Sequence, residues 1–205
     1  MDETMPRKFK EEMFDSIDSR LLSYMPERRY PTEIATTFNF ILYDEFKKNR
    51  EYNGMNYNLK PIFVGQYMVD PLKPEQTRVY SHQGTEACSP ISISRGVIGR
   101  AIRTGLDQYV PDVTKDSNHI GCDPDMEGSE LVLLSLSDPY LKGHYQGSKI
   151  PLGVLDLDFN IKNALEKEDI DCLRKIWDMW GKKIFPGHPK FLPRKEAYKS
   201  YLMAS

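Results

Sequence analysis

The sequence predicts an α+β fold, an antiparallel sheet with helices packed on one face and a helical extension before it. Two observations predict this. Apolar residues recur at helical spacing near both ends of the chain, and the middle is built of short segments rich in β-branched and aromatic residues separated by turn-forming stretches. The resulting order is helix, helix, strands, short helix, strands, closing helix, which suits strands paired with their neighbours and covered by helices.

From Phe9 to Met25 the apolar stripe runs through Phe9, Met13, Ile17, Leu21 and Leu22, with charged residues on the other face. Pro26 and Pro31 interrupt it. Thr32 is the expected N-cap of a second helix carrying Ile34, Ala35, Phe38, Ile41, Leu42 and Phe46 and ending at Lys47-Lys48. Asn53-Gly54 marks a loop. Ile62–Val69 and Arg78–His82, joined by DPLKPEQ, read as a β-hairpin. Ala87–Ile91 reads as extended, and RGVIGRAIRTG as a short helix stopped by Gly105. Gln108–Val110 is a brief strand, and residues 111–129 form a long polar loop, a length that in compact domains tends to be functional or disordered. Glu130–Leu136 and Leu152–Phe159 are strands. Glu168–Ile184 places Ile170, Leu173, Ile176, Trp177, Trp180 and Ile184 on one face, so this helix must cover a sheet.

At 205 residues the chain fits one domain with attachments. A hydrophobic content of 40% argues against wholesale disorder, and 28 Lys+Arg against 30 Asp+Glu leaves no net basic field to attract nucleic acid or anionic lipid. No apolar run approaches a membrane span, the longest being Leu131–Leu136. The charges scattered through MDETMPRKFKEEMFDS do not suit an export signal, so a soluble cytoplasmic protein is expected. Cys88, Cys122 and Cys172 are too few for a disulfide scaffold and are expected to be thiols in a reducing compartment.

Phosphate-loop, dinucleotide, nucleophile-elbow and C-x-x-C motifs are absent. His82, His119, Cys88 and Cys122 lack the tight spacing of a zinc site, so no metal and no bound cofactor is expected. In Leu152–Phe159 strand alternation puts Val154, Asp156 and Asp158 on one face and Leu155, Leu157 and Phe159 on the other. Carboxylates at i and i+2 stand ~6.5 to 7 Å apart, near enough for each to oppose ionisation of the other. Two readings fit: an acid held protonated as a proton donor, or a solvated Asp156 beside a turn-bonding Asp158. Cys122 sits in a polar loop with His119, Asp123 and Asp125, where exposure favours reactivity and the carboxylates disfavour the thiolate. It reads equally as a reactive thiol or as an ordinary loop cysteine. Cys88 falls in an expected strand, and Cys172 reads as structural.

HQGTEACSPI, RGVIGRAIRTGLDQYVPDV, NHIGCD, SELV and LGVLDLDF, taken in succession from about Ile62 to Ile184, resemble the blocks of a GAF domain and, more narrowly, the free methionine-(R)-sulfoxide reductases, a GAF-type enzyme family. The resemblance implies a helical extension over residues 1–31, a GAF domain over 32–185 and a C-terminal tail over 186–205. It implies thiol-dependent reduction of free L-methionine (R)-sulfoxide, with Cys122 as nucleophile, Cys88 as the recycling cysteine, Glu130, Asp156 and Asp158 as substrate-side acids, and a thioredoxin-like dithiol as reductant. The sequence departs from the family pattern in having Ile98 where a further cysteine is frequent, one additional residue between Cys122 and Glu130, SLSD at a strand end and a long connector at 138–149. These departures keep open a non-catalytic GAF module that senses a small ligand or serves as a regulatory partner. The N-terminal helices also suit a homodimer arm.

Overall fold

The computed structural model describes residues 5–27, 30–52, 54–122, 127–137 and 150–185. The connector at 138–149, residues 123–126 with Asp123 and Asp125, and the tail from Pro186 lie outside the described residues.

Helix α1 (Arg7–Tyr24) runs into a 3-10 turn (Met25–Glu27), and α2 (Pro31–Lys47) follows. A small hairpin, β1 (Arg50–Tyr52) with β2 (Met55–Tyr57), precedes β3 (Pro61–Val69) and β4 (Gln76–Gly84). Then come β5 (Ile91–Ser92), α3 (Gly96–Thr104), β6 (Gln108–Val110), β7 (Ser129–Leu136), β8 (Pro151–Phe159) and α4 (Lys167–Ile184). The main sheet has the order β5-β4-β3-β8-β7-β6, and each neighbouring pair is antiparallel.

Alternation along the central strands separates two cores. On one face Leu155, Leu157 and Phe159 of β8 and Leu131 and Leu133 of β7 meet α1, α2 and α4 through Ile17, Phe38, Phe46 and Trp177. Phe38 meets Trp177 edge-on at 5.7 Å between ring centroids, and Phe46 lies 5.7 Å from Phe159. The opposite face, with Val132, Leu134 and Val154, is covered by Val97, Ile98, Ala101 and Ile102 of α3. Thus the three long helices share a face, as the sequence suggests, and the short helix alone lies on the other.

Several boundaries differ from the sequence reading. Pro31 begins α2 instead of interrupting the chain, because a missing N–H and a helical φ cost nothing in the first turn. Tyr30, not Thr32, is the N-cap, and its N–H donates to Glu33 Oε2 at 3.3 Å. Leu22 is 61% exposed while Phe14 is buried, since one residue past Leu21 turns the side chain about 100° off the stripe. The expected loop at Asn53-Gly54 separates two paired strands, and a two-residue Asn-Gly spacing is itself a hairpin signal. Cys88 lies in the connector between β4 and β5, outside any strand. Gly105 stops α3 as expected, with φ at 68° and its N–H bonded to Ala101 O.

Two buried charge networks hold α1 in place. Lys10 Nζ donates to Asp169 Oδ2 at 2.7 Å and to Glu166 Oε2 at 2.9 Å, tying α1 to the first turn of α4. Burial opposes the Lys10 charge, and the hydrogen bonds to Asp169 and Glu166 outweigh it, so its pKa rises. Glu45 of α2 accepts Ser16 Oγ at 2.8 Å, Arg20 Nη1 at 2.6 Å, Arg50 Nη2 at 3.2 Å and Lys48 Nζ. Removing one partner of a buried pair leaves the other charge uncompensated. Lys10→Ala should therefore destabilise the protein by about 3 kcal/mol or more, read as a lowered urea midpoint at neutral pH, whereas Arg7→Ala, which breaks only the exposed pair with Glu11, should shift it little.

Candidate active site

The site lies on the α3 face of the sheet. Register brings Glu130 of β7 opposite Asp158 of β8, and Asp156 one dyad further along β8 opposite Gly65 of β3. The three carboxyls thus project to the same face, as alternation predicts for Asp156 and Asp158, and their oxygens lie within 4.8 Å of one another. Gly65 is required here, because a Cβ would stand 2.5 Å from the Phe63 ring and 2.9 Å from His82 Cβ. Phe63, stacked on His82 at 5.5 Å, and buried Tyr67 continue the wall. Above the acids a pocket, partly open to solvent, is bounded further by Ile62, Glu86, Val97, Ile120 and Cys122.

Burial governs the electrostatics. Glu130 is 5% and Asp156 4% exposed, while Asp158 is half-buried with its Oδ1 out of contact with solvent. Neither Asp156 Oδ1 nor Asp158 Oδ1 has a hydrogen-bond partner. The Glu130 carboxyl is pushed well above the ordinary range, first by desolvation and then by Asp156 and Asp158; Arg100 works against the shift. Desolvation and Asp158 do the same to Asp156, and desolvation carries Asp158 from 3.8 up to about 7. Tyr67 is held neutral by burial and by the three acids. The cluster is therefore a proton store near neutral pH, which favours the proton-donor reading of the Asp pair over the solvated one.

The thiols stand at the pocket. A disulfide joins Cys88 and Cys122, with Cα atoms 5.6 Å apart across 34 residues of chain. This is the pair the resemblance implies, brought together because the β4–β5 connector and the loop before β7 converge on the same side of the sheet, a meeting that spacing along the chain does not reveal. Cys122 is exposed and Cys88 half-buried. Cys172, the free cysteine among the described residues, packs against the helix-covered core, where burial raises its thiol pKa, in line with a structural part.

Two features of the site escaped the sequence reading. Tyr67 emerges as a wall residue facing the acids, and His119 Nε2 stands 3.4 Å from Glu130 Oε2. His119 was visible as a polar-loop neighbour of Cys122; its approach to β7 depends on a fold of the loop that carries no periodic signal.

The raised pKa of Asp158 has a sign that can be checked. In the unfolded chain this group ionises from about pH 4, whereas the folded protein holds the proton until about 7, so the folded state binds more protons between these values and loses stability as pH rises through them. Asp158→Asn should make this slope shallower, leaving the part that Glu130 and Asp156 contribute, and be the more stable protein at about pH 8, by something on the order of 2 to 4 kcal/mol, measured from urea midpoints at about pH 4 and pH 8.

No protein-family model matches the chain. It is 36% identical over 117 residues to the free methionine-R-sulfoxide reductase of Saccharomyces cerevisiae, covering 56% of this chain and 59% of that protein. It is 32% identical over 94 residues to the enzyme of the same name from Escherichia coli, covering 46% of this chain and 50% of that one. The match thus spans little more than half the length of these relatives. Among solved structures, a free methionine-R-sulfoxide reductase from Neisseria meningitidis in complex with its substrate superposes with a TM-score of 0.66 at 22% identity, covering 90% of this chain and 94% of that one. A structure described as that of the GAF domain gives 0.67 at 24% identity over 87% of this chain and 88% of that one. The fold is that of a GAF domain, and over about half of its length the sequence is similar to proteins named free methionine-R-sulfoxide reductase.

Proposed function

We propose that the protein reduces free L-methionine (R)-sulfoxide to methionine, with Cys122 as nucleophile, Cys88 as resolving thiol and the Glu130–Asp156–Asp158 cluster as acid. The observation that carries this reading is a disulfide poised at a pocket whose floor is three buried, proton-holding carboxyls. Relatives and structural neighbours named for this activity support the choice of sulfoxide.

In the reduced protein the Cys122 thiolate attacks the sulfoxide sulfur while a carboxyl of the cluster protonates its oxygen. Sulfur of the substrate is reduced to the thioether, and Cys122 is oxidised to the sulfenic acid. The Cys88 thiol then attacks Cys122 sulfur, forms the S–S bond and releases the oxygen as water. A thioredoxin-like dithiol, by two exchange steps through a mixed disulfide, returns both thiols and is itself oxidised. Because the cluster acids hold protons, they add no repulsion to the thiolate beyond that of the loop carboxylates. Once one acid has ionised it can pair with the substrate ammonium. Ile98 lies in the α3 wall of the pocket, and with no cysteine there Cys88 resolves alone.

Thioredoxin-coupled turnover of free L-methionine (R)-sulfoxide tests the reading. Cys122→Ser should lose more than about 10³-fold in rate, and Cys88→Ser should release about one equivalent of methionine per protein and then stall. Unchanged turnover in Cys122→Ser excludes Cys122 as the nucleophile.

A further inference from the structure

The proposed chemistry moves one proton in a closed circuit. The Cys122 thiol releases a proton as it becomes the nucleophile, and the carboxyl cluster gives one to the sulfoxide oxygen, so the count is zero but the two events occur on different parts of the pocket wall. An ionised carboxylate left among Glu130, Asp156 and Asp158 in a desolvated site is costly, and a carrier must refill it.

His119 is built into the position such a carrier needs. It is three residues before Cys122 in the same loop, it lines the same pocket, and its Nε2 stands 3.4 Å from Glu130 Oε2 with the side chain 13% exposed. The loop is folded on itself and fastened to α3 just before the ring's backbone. His119 N–H donates to Asp116 O at 3.0 Å, Asn118 N–H to Asp116 Oδ1 at 2.9 Å, and Gly96 N–H at the start of α3 to Asn118 O at 3.0 Å. Arg100 of α3 grips Asp116 Oδ2 at 2.7 Å. Gly96 adopts φ of 75°, and a Cβ there would stand 2.8 Å from Ile120 Cδ1, so the helix start and the loop are fitted to one another.

We propose that His119 is a positioning residue that relays a proton to Glu130, taking it up on the Cys122 side of the pocket and delivering it from Nε2 to Glu130 Oε2. This rests on the reductase reading of the site. The Cys122 S–H bond breaks and an N–H forms on the imidazole to give imidazolium; the Nε2–H then breaks as the Glu130 O–H forms, returning the ring to its neutral form; a carboxyl O–H of the cluster breaks towards the sulfoxide oxygen. No electrons move in the relay, and the only redox change is between the two sulfurs. The charged groups facing the relay are Asp116 from its own loop, Arg100 from α3, Glu86 from the β4–β5 connector, Glu130 from β7, and Asp156 and Asp158 from β8. Burial lowers the His119 pKa and Asp116 raises it against that, with the burial effect the larger, while Glu130 is raised. Both shifts act in the direction that favours passage of the proton from imidazolium towards Glu130.

The test uses the reduced full-length protein in two measurements. In the first, the infrared band of protonated carboxyls is followed after a jump from alkaline to acid buffer. His119→Gln should fill the cluster at least about 10-fold more slowly, to the same final amplitude and with an unchanged melting temperature, and imidazole in the buffer should restore the rate. In the second, kcat for methionine sulfoxide should fall about 10- to 100-fold in the variant, with KM little changed, and imidazole should raise it again. Filling at the wild-type rate in His119→Gln overturns the relay, as does slow filling that imidazole does not restore, which would mark a structural part for the ring. Wild-type protein that does not turn over methionine sulfoxide overturns the reductase reading, while the filling rates still decide the relay. His119→Asn replaces the Gln variant if the latter does not fold.

Discussion

The structure depends on strand β8 being two different things on its two sides. Leu155, Leu157 and Phe159 close the helix-covered core, where each is fully buried, and the intervening Asp156 and Asp158 enter the pocket on the other face. Burying the first set is favourable by roughly 25 cal/mol per Å² of apolar area. That gain fixes the strand between β3 and β7 and so forces two carboxyls, with Glu130 beside them, into a place where Oδ1 of each lacks a hydrogen-bond partner. The site is strained by solvation, and the core offsets the strain.

The protein treats its other buried acids in the opposite way. Glu45 accepts from Arg20, Lys48, Arg50 and Ser16, and its pKa is lowered although burial opposes this. Asp169 is paired with Lys10. These carboxylates are met by cations and serve to dock α1 onto α2 and α4. A buried carboxylate with cations is mortar; a buried carboxylate among its own kind is a proton store. The contrast within one chain sets the pocket acids apart from the docking ones.

Much of this was legible in the residues. Helical stripes and strand alternation are local properties, so α1, α2, α4, the hairpin of β3 and β4, and the facing of Asp156 and Asp158 could be read from spacing alone. Cys122 was singled out by its polar setting, but Glu130 and the partnership of Cys88 with Cys122 came only through the family resemblance. The reason is physical: Glu130 begins a strand whose pairing with β8 is set by long-range register, and the disulfide joins two connectors 34 residues apart. The small hairpin of β1 and β2 was missed although Asn53-Gly54 is a hairpin turn signature. His119 was seen as a neighbour of Cys122 and not of Glu130, since no periodicity governs the loop that turns it towards β7.

The alternation in β8 also guards the assembly of the sheet. A slip of one residue in its pairing with β3 and β7 would turn Asp156 and Asp158 towards Phe46, Phe38 and Trp177 and send Leu155 and Leu157 to the wet pocket. Two charged groups would then enter the driest part of the molecule, so the mispaired arrangement is rejected by desolvation as well as by lost packing. The acids that equip the pocket are therefore also the alignment marks by which the central strand finds its place.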